Sequence, residues 1–372
     1  MTAGAAARHL RRRAILAGAL AVPFAAARAA PAATDRPESL GGLARRKGLL
    51  FGTACRYEHI TYDPAYAMLL ARECRVIVAQ DDLKWAPLRP SPDRFDFSRA
   101  DAVVAFAESI GARMRGHALV WHETLPDWFD KQLDARAARA LLSGHIATVC
   151  GRYRGRMQSW DVVNEAVELD DGRADGLRET PWLRALGPGY VGEAFGMAAA
   201  ADPSAMLVYN DYGICDDGRK SRAKRAAVLR LLDRLLVAGA PVQALGLQAH
   251  LTAGMAFNER ELHGFLDEVE SRGLKVMVTE MDVLDEAASG DPAGQDGRVA
   301  DTYAKFLNIV LPHPAMVACI TWGLSDRYSW LRFVTRRKPI GDLRPLPYDE
   351  NYRPKPARSA IAEAVARLPD IA

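Results

Sequence analysis

Two short apolar runs in this chain stop on carboxylates. Trp160-Asp161-Val162-Val163-Asn164-Glu165 has strand character and ends on an amide and an acid side by side. Lys275-Val276-Met277-Val278-Thr279-Glu280 ends the same way and is followed by Met281 and Asp282. In a parallel sheet the strand C-termini converge on one mouth, and polar residues placed there usually carry the chemistry. Two carboxylates facing each other across a cleft suit glycoside hydrolysis, in which one acid protonates the leaving oxygen while the other attacks or activates water. Glu165 and Glu280 lie 115 residues apart. Strand-plus-helix units of a (β/α)8 barrel take roughly 30 to 40 residues each, so three units separate the two and set them across a barrel mouth.

The elements that must position these acids alternate along the chain. Strand-like runs fall near residues 49–54, 75–79, 113–119, 157–163, 206–209, 244–248, 275–279 and 318–322. Between them apolar residues recur at a helical period, as over 222–237, where Ala226, Leu229, Leu232 and Leu236 share a face. Similar patterns cover 101–109, 135–150, 259–271 and 301–311. Eight strands alternating with helices predict a parallel sheet closed into a (β/α)8 TIM barrel, an α/β fold in a single domain.

At 372 residues and 49% hydrophobic, the chain can bury a large core. Its formal charge of +3 is misleading, because residues 1–29 hold Arg8, Arg11, Arg12, Arg13 and Arg28 and no acid. Without those five arginines, 44 basic residues face 46 acidic ones, a net of −2 that implies no nucleic-acid partner. Arg12-Arg13-Ala14-Ile15-Leu16, an apolar run to Phe24 and the small-x-small Ala27-Arg28-Ala29 read as a twin-arginine export signal over 1–29. A flexible lead-in over 30–47 and a catalytic domain over 48–368 follow, which places the mature protein in the periplasm or outside the cell. No apolar stretch is long enough for stable membrane insertion. Cys55, Cys74, Cys150, Cys215 and Cys319 match no zinc spacing and are odd in number. They read mostly as buried free thiols.

The other strand ends mix polar and aromatic groups. Gln80-Asp81-Asp82-Leu83-Lys84-Trp85 follows the second strand, and Asn210-Asp211-Tyr212 the fifth. Sugar rings offer apolar C–H faces that stack on indole and phenol, while their hydroxyls need a matched set of partners, since each unpaired group out of water costs roughly 1–3 kcal/mol. Plainer readings compete. Lys84 beside Asp81 and Asp82 reads equally as a solvated ion pair worth about 0–1 kcal/mol, Trp85 and Trp128 as core, and His122 as structural. Trp322 and Trp330 bracket a polar loop at a strand end, which favours binding. His250 lies two residues past Gln248, and Asp282 two past Glu280, so each pair shares a strand face. Asp282 can then hold one nitrogen of an imidazole while the other nitrogen meets Glu280.

Gly116-His117-Ala118-Leu119-Val120-Trp121-His122, the run ending in Glu165, Gly246-Leu247-Gln248-Ala249-His250-Leu251, Thr279-Glu280-Met281-Asp282 and Trp322-Gly323-Leu324-Ser325-Asp326 occur in that order. Together they resemble the signatures of glycoside hydrolase family 10, the endo-1,4-β-xylanases. The resemblance runs from Phe51-Gly52-Thr53-Ala54 to Asn351-Tyr352-Arg353-Pro354-Lys355-Pro356. It implies a (β/α)8 barrel that cleaves the β-1,4 bonds of xylan or xylo-oligosaccharides with retention of configuration, needing no metal or organic cofactor. Glu165 matches the family's general acid/base and Glu280 its nucleophile. Asn164 matches the group that binds the 2-hydroxyl, and His250 with Asp282 the pair that orients the nucleophile. Lys84, His117, Trp121, Gln248, Trp322 and Trp330 match positions lining the glycone side. A monomer is expected.

The chain departs from the family at Gln80-Asp81, where Glu-Asn is usual and grips a sugar further into the glycone side. Exchanging acid and amide reverses the local charge, so a hydrolase of another β-1,4-linked polymer is the alternative reading. A non-catalytic carbohydrate-binding barrel is opposed by the full set of Glu165, Glu280, Asn164, His250 and Asp282.

Overall fold

Strand-forming runs of Val, Ile, Leu and Met close on themselves. The computed structural model describes residues 38–286, 291–335 and 343–371; the export signal assigned to 1–29 and the first part of the lead-in lie outside them. Among the described residues the strands are β1 Leu50–Cys55, β2 Val76–Ala79, β3 Arg113–Gly116, β4 Met157–Asn164, β5 Met206–Asp211, β6 Ala244–Leu247, β7 His250–Thr252, β8 Lys275–Leu284 and β9 Met316–Thr321. They lie in the order β6-β5-β4-β3-β2-β1-β9-β8-β7, and β6 also pairs with β8, which closes the barrel. Every one of these pairings is parallel. β6 and β7 are two pieces of one barrel strand, interrupted at Gln248-Ala249, where Ala249 has a φ of +59°. Eight barrel positions result, as the alternation of strand and helix requires.

The period of two sorts the strand residues. Val76, Val78, Val208, Ala244, Met277 and Ile320 fill the barrel interior in one cluster with Trp322. Their neighbours Ile77, Leu207, Leu245 and Val276 pack outward against the helices. Gly116 is required by this packing, because a Cβ there would lie 2.0 Å from the Trp160 ring.

Helices Ser98–Ser109, Ala135–Arg152, Arg219–Val237 and Glu259–Ser271 cover the periodic stretches. The next helix begins at Pro292 rather than near 301, because Asp291 caps it by accepting from the Ala293 N–H and Pro292 takes the first turn. The lead-in also differs from expectation. Leu40–Arg46 is a helix, with Ser39 as its cap and Leu40 and Ala44 buried. Composition hid it, since the stretch is rich in Ala, Pro and charge. Gly41 is there for close approach, as a Cβ would meet the Glu73 carbonyl at 2.7 Å. Among the described residues no helix is long and apolar enough to cross a membrane. All five cysteines are free and buried.

Trp85 is core, as its plainer reading held, with Nε1 donating to the Leu119 carbonyl at 2.7 Å. Its ring stacks on His145, centroids 3.7 Å apart. His145 is fully buried, and neither ring nitrogen has a hydrogen-bond partner. Burial, then the nearby Arg89 charge, holds this imidazole well below its ordinary pKa, so it stays neutral in the fold. Below about pH 6.5 the unfolded chain binds a proton there that the folded chain does not, so stability falls with falling pH by about 1.4 kcal/mol per unit from this group. His145→Phe removes that linkage. Urea unfolding is expected to show the variant gaining on the parent as pH drops from 8 to 5; an equal gap at both pH values refutes the assignment.

Candidate active site

The mouth of the barrel is built by residues at strand ends. Glu165 directly follows β4 with a φ of +59°, a left-handed conformation costing a non-glycine residue roughly 1–2 kcal/mol. Both of its peptide groups are held. Its N–H donates to the Asn210 carbonyl at 2.9 Å, and its carbonyl accepts from Arg178 Nε at 2.8 Å. Arg178 Nη2 is fixed in turn by Glu168 Oε2 at 3.0 Å and the Tyr212 hydroxyl at 2.8 Å. The backbone thus turns the carboxyl into the mouth, where Oε2 accepts from Trp121 Nε1 at 2.9 Å. Oε1 accepts from Asn164 Nδ2 and Gln248 Nε2, each at 3.0 Å.

Glu280, in β8, is only 4% exposed. Oε1 accepts from Asn210 Nδ2 at 2.7 Å, and Oε2 faces His250 Nε2 at 3.3 Å. His117 Nδ1 lies 3.9 Å from Oε1. Burial pushes this carboxyl up, but the His117 field, the hydrogen bond and charge of His250 and the Asn210 amide outweigh it and hold the pKa at about 2. His250 is the counterpart. Burial lowers it, yet the charge and hydrogen bond of Asp282, reinforced by Glu280, raise it to about 10. As an imidazolium it donates from both nitrogens, with Nδ1 2.9 Å from Asp282 Oδ1. Trp330 Nε1 donates to the other Asp282 oxygen at 2.6 Å.

One acceptor joins the two carboxyls. Asn164 Oδ1 receives Asn210 Nδ2 at 2.9 Å and Gln248 Nε2 at 3.2 Å. Each of those amides gives its second hydrogen to a glutamate, Asn210 to Glu280 and Gln248 to Glu165. Asn210 Oδ1 accepts from Thr279 Oγ1 at 2.7 Å. The side chain fits because residue 246 is glycine, where a Cβ would lie 2.2 Å from Asn210 Oδ1.

Beneath the mouth a charged stack fills the barrel. Fully buried Arg115 donates to Ser159 Oγ at 2.9 Å and to Asp161 Oδ1. Asp161 Oδ2 holds His117 Nδ1 at 2.9 Å. His117, Asp161 and Glu280 each bring a ligand-type atom within 4.8 Å of the others. A metal there would displace Arg115 and Asn210 from the same oxygens, so the donors in place already satisfy this cluster.

Lys84 is buried, with Nζ 2.9 Å from Asp81 Oδ1 and 4.9 Å from the Trp121 ring centroid. Asp81 is also held by Arg56 Nε at 2.6 Å, so the ion pair is a partly shielded three-charge group rather than a solvated pair. Gln80 is buried at the end of β2. Trp322 lies edge-on to His117 at 5.1 Å, and Trp330 lies 5.0 Å from His250. The polar loop between these tryptophans is buried at Ser325, Asp326 and Ser329. Asp326 is committed internally, accepting from the Leu346 N–H at 2.9 Å and Lys355 Nζ at 2.8 Å.

The structure brings together Glu165, Glu280, Asn164, Gln248, His250, Asp282, His117, Trp121, Lys84, Trp322 and Trp330, all named from the sequence. The sequence reading named Asn210 only as a strand-end residue and gave no role to Asp161, Arg115 or Arg178. Asn210 had the signal of an amide closing a strand, and a charge inside an apolar strand, such as Arg115 or Asp161, signals a buried partner. Arg178 carried no local signal.

Residues 39–364 match the family model described as Glycosyl hydrolase family 10. The chain is 34% identical over 304 residues to Endo-1,4-beta-xylanase B of Thermotoga neapolitana, covering 80% of this chain and 82% of that protein. It is 33% identical over 344 residues to Endo-1,4-beta-xylanase 1 of Humicola insolens, covering 91% and 76%. The solved structure of xylanase 10B from Thermotoga petrophila RKU-1 in complex with xylobiose superposes with a TM-score of 0.80 at 32% identity, covering 90% of this chain and 98% of that one. With a closed parallel barrel carrying two glutamates at its mouth, this chain belongs to glycosyl hydrolase family 10.

Proposed function

We propose that this chain is an exported, retaining endo-1,4-β-xylanase that cuts internal bonds of xylan by double displacement. Glu280 carries the reading: it is a buried carboxyl held ionised, beside a second carboxyl reached through one shared amide oxygen. A retaining enzyme sets its two carboxyls about 5–5.5 Å apart. Glu280 attacks the anomeric carbon while Glu165 gives its proton to the leaving oxygen, and a glycosyl ester forms. Glu165, left as a carboxylate, then takes a proton from the water that attacks the anomeric carbon, and the ester bond breaks to return Glu280 to its ionised form.

The neighbours have matching roles. His250 and Asp282 keep Glu280 ionised and aimed. Asn164 Nδ2 uses one hydrogen on Glu165, which leaves the second for the 2-hydroxyl of the sugar under attack. Lys84, His117, Trp121, Gln248, Trp322 and Trp330 line the glycone side. Export rests on the twin arginine at Arg12-Arg13. A second reading, hydrolysis of another β-1,4-linked polymer, is favoured by Gln80 and Asp81. Relative rates on xylan, arabinoxylan, mixed-linkage glucan and cello-oligosaccharides decide between them, and preference for xylan removes it.

Glu280→Ala is expected to slow hydrolysis of an aryl β-xylobioside by at least about 10⁴-fold; substantial turnover by the variant contradicts the nucleophile assignment. His250→Gln removes a charge and a donor that hold Glu280 near 2, leaving burial to push it upward. The acid limb of kcat/KM, governed by ionisation of Glu280, should therefore move to higher pH while the alkaline limb stays, as a pH–rate profile will show. Arg178→Gln frees the carbonyl of Glu165 and misplaces the acid. A loss of about 10²-fold in kcat/KM is expected on substrates with poor leaving groups, with kcat/KM for dinitrophenyl glycosides nearly unaffected because they depart without a proton. Equal losses on both would assign Arg178 a general structural role.

A further inference from the structure

Lys224, on the helix Arg219–Val237, is only 6% exposed. Its ammonium lies 2.7 Å from Asp211 Oδ1 and 3.6 Å from the ring centroid of Tyr212. Asp211, fully buried at the end of β5, also accepts from the Tyr209 hydroxyl and, at 2.9 Å, from the Tyr212 N–H. A buried ion pair gains little net stability over apolar residues of the same volume, because both charges must leave water. Stability alone is therefore a weak reason for this pair. What it does achieve is to fix Tyr212 at two points, its N–H by Asp211 and its ring face by the ammonium, an attraction that strengthens out of water.

A phenol clamped in this way has its hydroxyl placed. That hydroxyl donates to Glu168 Oε2 and accepts from Arg178 Nη2, each at 2.8 Å. Arg178 in turn holds the Glu165 carbonyl through Nε at 2.8 Å. Glu165 sits at a φ of +59°, a conformation that a non-glycine residue keeps only while its surroundings impose it. Along this row two cations, Lys224 and Arg178, face two carboxylates, Asp211 and Glu168. No charge is left over to draw in a ligand, so the row acts as a support.

We propose that Lys224 and Tyr212 are positioning residues for the general acid: a helix outside the barrel fixes, through a cation on a tyrosine face, the guanidinium that turns Glu165 into the mouth. Both act through Arg178. The assignment rests on Glu165 being the acid of the xylanase reading.

Aryl β-xylobiosides test it, since they carry no sugar beyond the bond that breaks. Tyr212→Phe keeps the ring and its cation and removes only the hydroxyl. It should lower kcat/KM about tenfold on the phenyl glycoside, the size of one charge-assisted hydrogen bond, with the dinitrophenyl glycoside nearly unaffected. Lys224→Met should show the same split, and Lys224→Arg, which keeps a cation on the ring, should recover most of the loss. In an Arg178→Gln background Tyr212→Phe should add less than about twofold, because the group it supports is already gone. Equal losses on both glycosides, or the full tenfold loss in the Arg178→Gln background, overturn the proposal. Lys224→Met leaves Asp211 short of a partner, so Tyr212→Phe carries the test should the lysine variant fail to fold. Backbone hydrogen exchange around Glu165 reads the same support without turnover: Tyr212→Phe should quicken it, and unchanged exchange refutes the assignment. If wild type cleaves neither glycoside the xylanase reading fails, while exchange still decides whether Tyr212 holds Glu165.

Discussion

Keeping one carboxylate ionised out of water is the demand that organises this barrel. Removing a charge from water costs several kcal/mol even after relaxation, and the cost is met only when the ion's neighbours are themselves satisfied. Glu280 needs donors and a favourable field, and they come from separate strands: Asn210 from β5 and His250 from β7 hydrogen-bond to it, and His117 after β3 stands 3.9 Å away. Each creates a further requirement. His250 as a cation needs Asp282, and Asp282 needs Trp330. His117 is held by Asp161, and Asp161 by Arg115 and through it Ser159. The requirement propagates around the mouth and down the axis, and only a closed parallel sheet brings so many strand ends to one point.

The backbone at the mouth is shaped for the same end. Glu165 and Ala249 both adopt φ of +59° just past a strand. Each would be costly alone, at roughly 1–2 kcal/mol. Charge-assisted bonds of roughly 1.5–3 kcal/mol offset it, as between Arg178 and the Glu165 carbonyl. At Ala249 the break between β6 and β7 lets Gln248 reach Asn164 and Glu165 while His250, two residues on, reaches Glu280. Donors fixed this way before substrate arrives need no reorganisation when charge develops, which is the form in which hydrogen bonds contribute most to rate.

What was legible in the sequence follows from what short-range pattern encodes. A period of two locates strands and their ends, so Glu165, Glu280, Asn164 and the His250 and Asp282 positions could be placed before any coordinates. Contacts set by loop closure leave no such trace. Arg178 reaches Glu165 from 13 residues downstream, because Val167 and Leu177 pair as an isolated bridge. The helix Leu40–Arg46 was obscured by the Ala, Pro and charge of the lead-in around it, and its Gly41 is there for the approach of Glu73 and Arg75. The Arg56 to Asp81 pair was invisible because its partners belong to different strand ends, although the exchange of Gln80 and Asp81 pointed to an altered charge pattern there.

The segment between Trp322 and Trp330 illustrates a rule about polar residues at strand ends. Ser325, Asp326, Ser329 and the residues around them look like a ligand-facing loop in sequence, yet Asp326 is only 1% exposed. Its carboxyl pins the Leu346 N–H and Lys355, while Lys355 also donates to the Arg344 carbonyl at 2.7 Å. Arg344 forks onto Asp296 with two bonds of 2.8 Å. The C-terminal part of the chain is thereby tied to the loop, and the buried polar groups of Ser325 and Asp326 are committed inside the protein. The pair of indoles at its ends is held as firmly. Their rings stay in place because Trp330 is bonded to Asp282 and Trp322 is wedged over the barrel interior beside His117. Polarity at a strand end therefore marks either a ligand or a lock, and the burial of the atoms distinguishes the two.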